Sequence, residues 1–384
     1  MTKPREFLES VIERRIRQDV QSMHAYAVQD SKGMVKLDAM ENPHRLPQAL
    51  QKQLGERLGA LALNRYPDGR VNDLRTALAG YADMPAGFDI MLGNGSDELI
   101  SLLSMACGVP RDSVTGAKPV VLAPVPGFVM YAMSAQLQGL QFQGVPLTAD
   151  FELDTYAMLE AISKYQPAIV YLAYPNNPTA NLWSETAINH VVSAAAEVGS
   201  LVVIDEAYQP FSSRSYLDVI RKDPAGHAHV LLMRTMSKFG LAGVRIGYMV
   251  GSAALIAQVD KVRPPYNISV LNYECALFAL EHAQVFAEQA VDIRAQRARL
   301  QQEFKAFASM KAWPSDANMI LVRFSEKVIG DGDPAQKVFD GLKARGVLVK
   351  NVSKMHELLK DCLRITVGSA EENDALLAAL KEIL

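Results

Sequence analysis

The chain has 384 residues and 39 Lys+Arg against 42 Asp+Glu, which leaves a formal net charge of −3. It is 49% hydrophobic and 21% charged, too apolar for a disordered chain, and its mild acidity argues against a nucleic-acid partner, whose affinity rests on Lys/Arg–phosphate contacts. Cys107, Cys275 and Cys362 are far apart and form no CxxC pair, so neither a disulfide framework nor a zinc site is expected and a reducing cytoplasm fits best.

The opening MTKPREFLESVIERRIRQDV is charged throughout and lacks the apolar core of a secretory signal. The first 36 residues predict a helix followed by a loose arm. LDAMENPHRLPQAL reads as a short strand, a Pro-punctuated loop and a helix. VNDLRTALAGYA predicts a helix with Leu74, Leu78 and Tyr81 on one face. DIMLGNGSDELISLLSMACG predicts a strand, a Gly turn and a helix. The segments beginning KPVVLAPVPGF and QPAIVYLAYPNNP each start with a buried strand that ends in a Pro-rich loop. SETAINHVVSAAAEVGS is a helix that Ser184 or Thr186 could cap, LVVIDEAY is a strand, and HVLLMRTMSKFGLAGVRIGYMVGS adds a strand, a loop and a strand. Nearly all-apolar strands alternating with helices imply a mostly parallel sheet covered on both faces, a three-layer α/β domain with its ligand site beyond the carboxyl strand ends.

After about residue 270 the pattern changes to a long helical stretch and then an α+β segment with strands NMILVRF, GVLVKN and CLRITVG. The length also exceeds the roughly 250–300 residues at which a single core stops growing, so a second domain is expected. No run approaches the ~18 apolar residues of a membrane helix.

Four segments at strand ends carry chemistry. In RTMSKFGLAGVRIGY, Lys238 follows Thr235 and Ser237, and Arg245 lies seven residues on. Such a lysine suits a Schiff-base nucleophile if its amine is desolvated, and the hydroxyls and arginine suit a phosphate; a surface lysine in a Gly-rich loop is the competing reading. Asp205, ending LVVID, wants a cation if buried, with Tyr208 three residues on; by itself it could equally cap the next helix. Asn177 of YPNNPTAN could offer its amide to a ligand or sit in a plain Asn-Pro turn. In GNGSDELI, Gly95 and Ser96 open a helix whose N-terminus suits an anion, although Ser96 or Asp97 as a simple cap explains it alone. His227 and His229 are spaced to share a strand face but have no Cys or carboxylate cluster, so no metal is expected. The Arg-rich DIRAQRARLQQEF reads as a solvated interdomain helix.

Taken together, LDAMENP, RYPDG, GNGSDE, PGFVMY, YPNNPTA, DEAY, RTMSKFGLAGVRIGY, RPPYNIS, DANMILVRF and LRITVG resemble the fold-type I, class I/II aminotransferases that depend on pyridoxal 5′-phosphate (PLP), and most closely their histidinol-phosphate branch. The resemblance spans residues 37 to 368. It implies a large PLP-binding domain over 47–275, with 1–46 and 276–384 forming an N-terminal arm and a small domain. It assigns Lys238 to carry the cofactor and shuttle a proton, Asp205 to the pyridinium nitrogen, Tyr208 and Asn177 to the phenolic oxygen, and Phe128 to the ring face. Gly95, Ser96, Asp97, Thr235, Ser237 and Arg245 would surround the cofactor phosphate. Tyr66 would reach a phosphate in the neighbouring subunit's site, which implies a homodimer. Arg364, Lys350 and Tyr26 would meet substrate, Lys350 standing where an arginine is usual. The implied reaction is L-histidinol phosphate plus 2-oxoglutarate to imidazole acetol phosphate plus glutamate, by ping-pong transfer. A transaminase of broader or aromatic specificity, or a decarboxylase of a phosphorylated amino acid, are the alternatives. Two further departures are Met40, where Asn is usual, and Ala180, where Gly is usual; a positive φ at Ala180 would cost about 1 kcal/mol.

Overall fold

The computed structural model describes residues 4–23, 29–67, 70–108, 116–325 and 332–384. The chain divides into two compact units, Met1–Gly33 and Met34–Leu384. The first carries helices α1 (Pro4–Arg15) and α2 (Gln18–Gln21). The second carries the rest.

A seven-stranded sheet is the frame of the larger unit. Its strands are β2 (Phe88–Gly93), β3 (Val120–Val125), β4 (Gln141–Pro146), β5 (Ile169–Ala173), β6 (Leu201–Asp205), β7 (Val230–Thr235) and β8 (Gly247–Ser252). They lie in the order β2-β8-β7-β6-β5-β3-β4, all parallel except β8, which runs antiparallel to both neighbours. Because side chains alternate along a strand, Ile90, Leu122, Val170, Val202 and Leu232 point into one core. Met91, Val121, Tyr171, Val203 and Leu231 point into the core on the opposite face. The first core is covered by α4 (Arg70–Ala82), α7 (Thr155–Tyr165), α8 (Glu185–Glu197) and α11 (Val270–Glu281); the second by α5 (Gly95–Ala106), α6 (Met130–Leu137) and α10 (Ala253–Val259). This is the three-layer parallel arrangement that the apolar runs imply.

A four-stranded antiparallel sheet follows, with β9 (Met310–Ala312), β10 (Met319–Phe324), β12 (Lys350–Asn351) and β13 (Cys362–Thr366) in the order β12-β13-β10-β9. Its core draws on α12 (Ala283–Glu303), α13 (Pro334–Ala344) and α14 (Ala370–Ile383). The expected single strand GVLVKN is two strands: β11 (Val347–Leu348) pairs in parallel with β1 (Val35–Lys36), and β12 pairs with β13. The split lets one segment tie the N-terminal strand to the small sheet. The long helical stretch is likewise two helices, interrupted at His282.

Leu74, Leu78 and Tyr81 do fall on one face of α4, the two leucines buried and Tyr81 at its margin in a T-shaped pair with Phe239. Other local expectations need correction. Ser184 caps α8, whereas Thr186 lies inside it. α5 starts after Asn94, so neither Ser96 nor Asp97 is its cap. His227 and His229 precede β7 rather than share a face of it. Arg294 and Arg297 of α12 are not merely solvated: they donate to the carbonyls of Pro210, Phe211 and Ala317. Among the described residues, no helix is long and apolar enough to cross a membrane.

Met40 and Ala180 have φ of 53° and 64°, the left-handed region where a Cβ is strained. These are the two positions at which Asn and Gly, residues that tolerate that region, are usual in the resembled family. Ala180 is fully buried, its amide bonded to the Asn176 carbonyl and its carbonyl accepting from Asp316, so the backbone cannot relax. Ala180→Gly relieves the strain at some cost in unfolded-chain entropy. Urea unfolding of the variant is expected to show a higher midpoint at unchanged slope, a net gain of roughly 0.5–1 kcal/mol.

Candidate active site

The carboxyl ends of β5, β6 and β7 deliver Ala173, Asp205 and Thr235 to one edge of the large sheet, where a cavity of about 130 Å³ opens. Ser96, Asp97, Phe128, Asn177, Tyr208, Ser237, Lys238 and Arg245 also face it. The four separate sequence segments therefore converge on one space.

One end of the cavity is built for an anion. α5 begins against the sheet because residue 247 is glycine: a Cβ there would come within 2.5 Å of the Gly95 carbonyl carbon and 2.7 Å of the Ser96 nitrogen. Gly95 itself has φ of 75°, and a Cβ on it would lie 2.6 Å from Arg245 Nη2. The first-turn amides of α5, which have no intrahelical acceptor, are thus left beside the guanidinium. Arg245 is held there by donating to Ser237 Oγ at 3.2 Å and to Asp97 Oδ2 at 3.3 Å. Thr235 Oγ1 sits 3.0 Å from Ser237 Oγ and accepts from the Ser237 amide at 3.1 Å. Two hydroxyls, a guanidinium and a helix start make a phosphate-sized cradle.

At the other end lies Asp205, 4% exposed. Its Oδ2 accepts from the Tyr131 hydroxyl at 2.6 Å and its Oδ1 from the Ala207 amide at 3.0 Å. Among the described residues, no cation pairs with it. Burial therefore dominates and pushes its pKa up to about 6, against the lowering effect of those two donors. The next residue, Glu206, points the other way and is neutralised by Arg234, which donates to Oε2 from Nε at 3.0 Å and Nη2 at 2.8 Å. A buried, unpaired carboxylate on a cavity wall fits a cationic ring nitrogen.

Lys238 lies in the irregular turn Ser237–Leu241 that follows β7. Its Nζ donates to the Ala39 carbonyl at 3.0 Å and lies 6.0 Å from the centre of the Tyr208 ring. Burial, aided by the charges of Arg364 and Arg245 and opposed by Glu41 and Asp97, lowers its pKa to about 8. Tyr208 is buried, which raises its pKa well above the ordinary value. Asn177 Oδ1 accepts from Arg364 Nη1 at 2.8 Å, so the amide nitrogen is the end a ligand's oxygen can use. Arg364 Nη2 donates to the Asp38 carbonyl at 2.8 Å. Lys350 stands directly opposite Arg364 in the β12–β13 register, so the two cations share a sheet face. Phe128 meets the ring of Tyr131 edge-on at 5.6 Å.

Tyr66 is 77% exposed and stacks on Tyr266 with ring centres 4.7 Å apart, outside the cavity. Tyr26 is outside the described residues. Residues that motif reading missed are Tyr131, Met40 and the carbonyls of Asp38 and Ala39. Tyr131 left one signal, since a tyrosine buried after a strand-end loop needs a partner for its hydroxyl. The backbone carbonyls left none. Among the described residues no group of three or more His, Cys, Asp or Glu is placed to hold a metal ion.

Residues 32–380 match the family model of aminotransferases of class I and II. The chain is 66% identical to a histidinol-phosphate aminotransferase of Polaromonas naphthalenivorans (strain CJ2), over the whole of both chains. It is 64% identical to that of Methylibium petroleiphilum over 97% of this chain and 95% of the relative. Among solved structures it resembles the histidinol-phosphate aminotransferase of Sinorhizobium meliloti in complex with pyridoxal-5′-phosphate, with a TM-score of 0.80 at 25% identity, covering 96% of this chain and 97% of the other.

The depressed pKa of Lys238 means that its amine is substantially neutral above about pH 8, where an ordinary lysine is still charged. In cofactor-free protein, labelling of Lys238 by an amine-reactive reagent, followed by peptide mass spectrometry against pH, is expected to rise with a midpoint near 8. A midpoint above 10 would show the amine to be solvated.

Proposed function

The chain belongs to the aminotransferases of class I and II, and from that premise we propose that it is a PLP-dependent transaminase converting L-histidinol phosphate and 2-oxoglutarate to imidazole acetol phosphate and glutamate. The observation that carries the chemistry is the pairing, in one cavity, of the desolvated Lys238 amine with the buried, cation-free Asp205 carboxylate. The substrate follows the relatives at 66% and 64% identity, whose names specify it.

PLP, when bound, supplies an electron-withdrawing ring that stabilises negative charge at the substrate Cα. The chain's residues hold it and move the proton. Asp205 would keep the ring nitrogen protonated, Phe128 would cover a ring face, and Tyr208 and the Asn177 amide would bond the phenolic oxygen. The α5 amides at Gly95, Ser96 and Asp97, with Thr235, Ser237 and Arg245, would hold the phosphate. Lys238 Nζ, neutral above about pH 8, would be tethered where it can take the Cα proton and return it at the cofactor's C4′. Arg364 would receive the anionic group of each substrate, carboxylate or phosphate, while Lys350 on the same sheet face adds charge without a bidentate fork. Tyr26 we assign to the substrate phosphate.

We read 47–275 as the PLP-binding part and 1–46 with 276–384 as arm and small domain. The exposed Tyr66–Tyr266 stack suits burial against a second copy, in a homodimer in which Tyr66 reaches the neighbouring site. A reducing cytoplasm suits the three free cysteines.

Purified protein is expected to show the visible-edge absorbance of lysine-bound PLP, and Lys238→Ala to lose it together with activity; a band that survives the substitution refutes the lysine assignment. Comparison of kcat/KM for histidinol phosphate and for phenylalanine, each with 2-oxoglutarate, should favour the former, and preference for phenylalanine would support the aromatic alternative. Arg364→Ala should raise KM for both amino donor and 2-oxoglutarate by about tenfold or more, because both lose a charge-assisted bond.

A further inference from the structure

Asp205 is held from two directions. The Ala207 amide, two residues on, takes Oδ1. The Tyr131 hydroxyl takes Oδ2 from α6, across the sheet. Tyr131 is 2% exposed and its ring has little freedom: within its buried cluster it stacks on Tyr171 with centres 4.3 Å apart and planes within 10°, and it forms a T-shaped pair with Phe128. The direction of the bond is fixed as well. Burial and the charge of Asp205 both hold the Tyr131 phenol protonated, so it always donates. Opposing that donation, burial and the carboxylates of Asp97 and Glu206 favour the neutral acid at Asp205. Tyr208 and Tyr171 also face this charge, both as protonated phenols.

We propose that Tyr131 is a positioning residue whose hydroxyl fixes the rotamer of Asp205 and keeps it a carboxylate, so that the cofactor's ring nitrogen retains its proton. The inference rests on the PLP reading above. Tyr131 lines the same cavity, and its hydroxyl is spent on Asp205, through which it acts on the ring nitrogen. Through its contact with Phe128 it also ties the residue expected on the ring face to the one expected at the ring nitrogen.

The test uses holoenzyme loaded with PLP labelled with ¹⁵N at the ring nitrogen. Tyr131→Phe removes only the donor, and Tyr171→Phe removes a hydroxyl from the same stack. In Tyr131→Phe the pH midpoint at which the nitrogen loses its proton is expected to fall by about one pH unit, PLP to bind about tenfold more weakly, and kcat to drop about tenfold with KM little changed. Tyr171→Phe should leave all of these at the wild-type values. An unchanged nitrogen midpoint in Tyr131→Phe, or equal changes in both variants, overturns the proposal. Should Tyr131→Phe fail to fold, 3-fluorotyrosine at position 131 strengthens the donor without a cavity, and its nitrogen midpoint must rise; no rise overturns the proposal too. Wild-type protein that binds no PLP would refute the proposed function itself, a result distinct from any of these.

Discussion

A parallel sheet covered on both faces can carry polar groups only at the ends of its strands, since a charge placed in either layer would lose its hydration with nothing to replace it. That constraint organises this molecule. Val203 and Ile204 are wholly buried, and the first carboxylate of β6 is its last residue, Asp205. β5 stays free of charge to its last residue, Ala173, and β7 turns polar only at Arg234 and Thr235; Ala173, Asp205 and Thr235 thus share an edge, and the loops that leave them are where Asn177, Tyr208 and Lys238 stand. The site is the consequence of a sheet that admits chemistry nowhere else.

The same constraint sorts the two adjacent carboxylates. Glu206 turns away from the cavity into a buried pair with Arg234, supported by Ser215 and the Tyr216 amide. Paired and hydrogen-bonded, it is structural, and removing one partner would leave an uncompensated buried charge. Asp205 has hydrogen-bond donors but, among the described residues, no cation. The contrast between a satisfied and an unsatisfied buried acid, one residue apart, separates scaffold from site more sharply than exposure does, because both are almost fully buried.

The segment Val35–Met40 joins the two sheets to the cations. Val35 and Lys36 pair with β11, the Leu37 carbonyl accepts from Thr366, and the Met40 amide bonds the Thr366 hydroxyl. Between them, the consecutive carbonyls of Asp38 and Ala39 accept from Arg364 and Lys238. Backbone acceptors orient both cations without neutralising them, so the amine of Lys238, depressed in pKa chiefly by burial, still feels two arginines as well. The left-handed φ of Met40 accompanies this path of the chain, which brings two consecutive carbonyls to two separate cations.

Much of this was legible locally. All-apolar runs marked β3, β5, β6 and β7, because a strand buried on both faces has no alternation to hide. Asp205, Asn177 and Lys238 stood out because each ends or follows such a run, where the chain must return to water, whereas Ser96 stood out by the glycines that open its helix and Arg245 by its spacing from Lys238. Other features depend on where distant segments meet, which no local period encodes. The Tyr131–Asp205 bond joins residues 74 apart in sequence, and the division of GVLVKN between two sheets is decided by its partners. Lys350 and Arg364 became neighbours only through the β12–β13 register. That Glu206, next to Asp205, turns away to Arg234 is likewise a contact between segments. Sequence alone thus determined the class of fold and the inventory of reactive groups; the tertiary structure decided which of those groups are satisfied, because satisfaction is a property of contacts between segments and not of any segment alone.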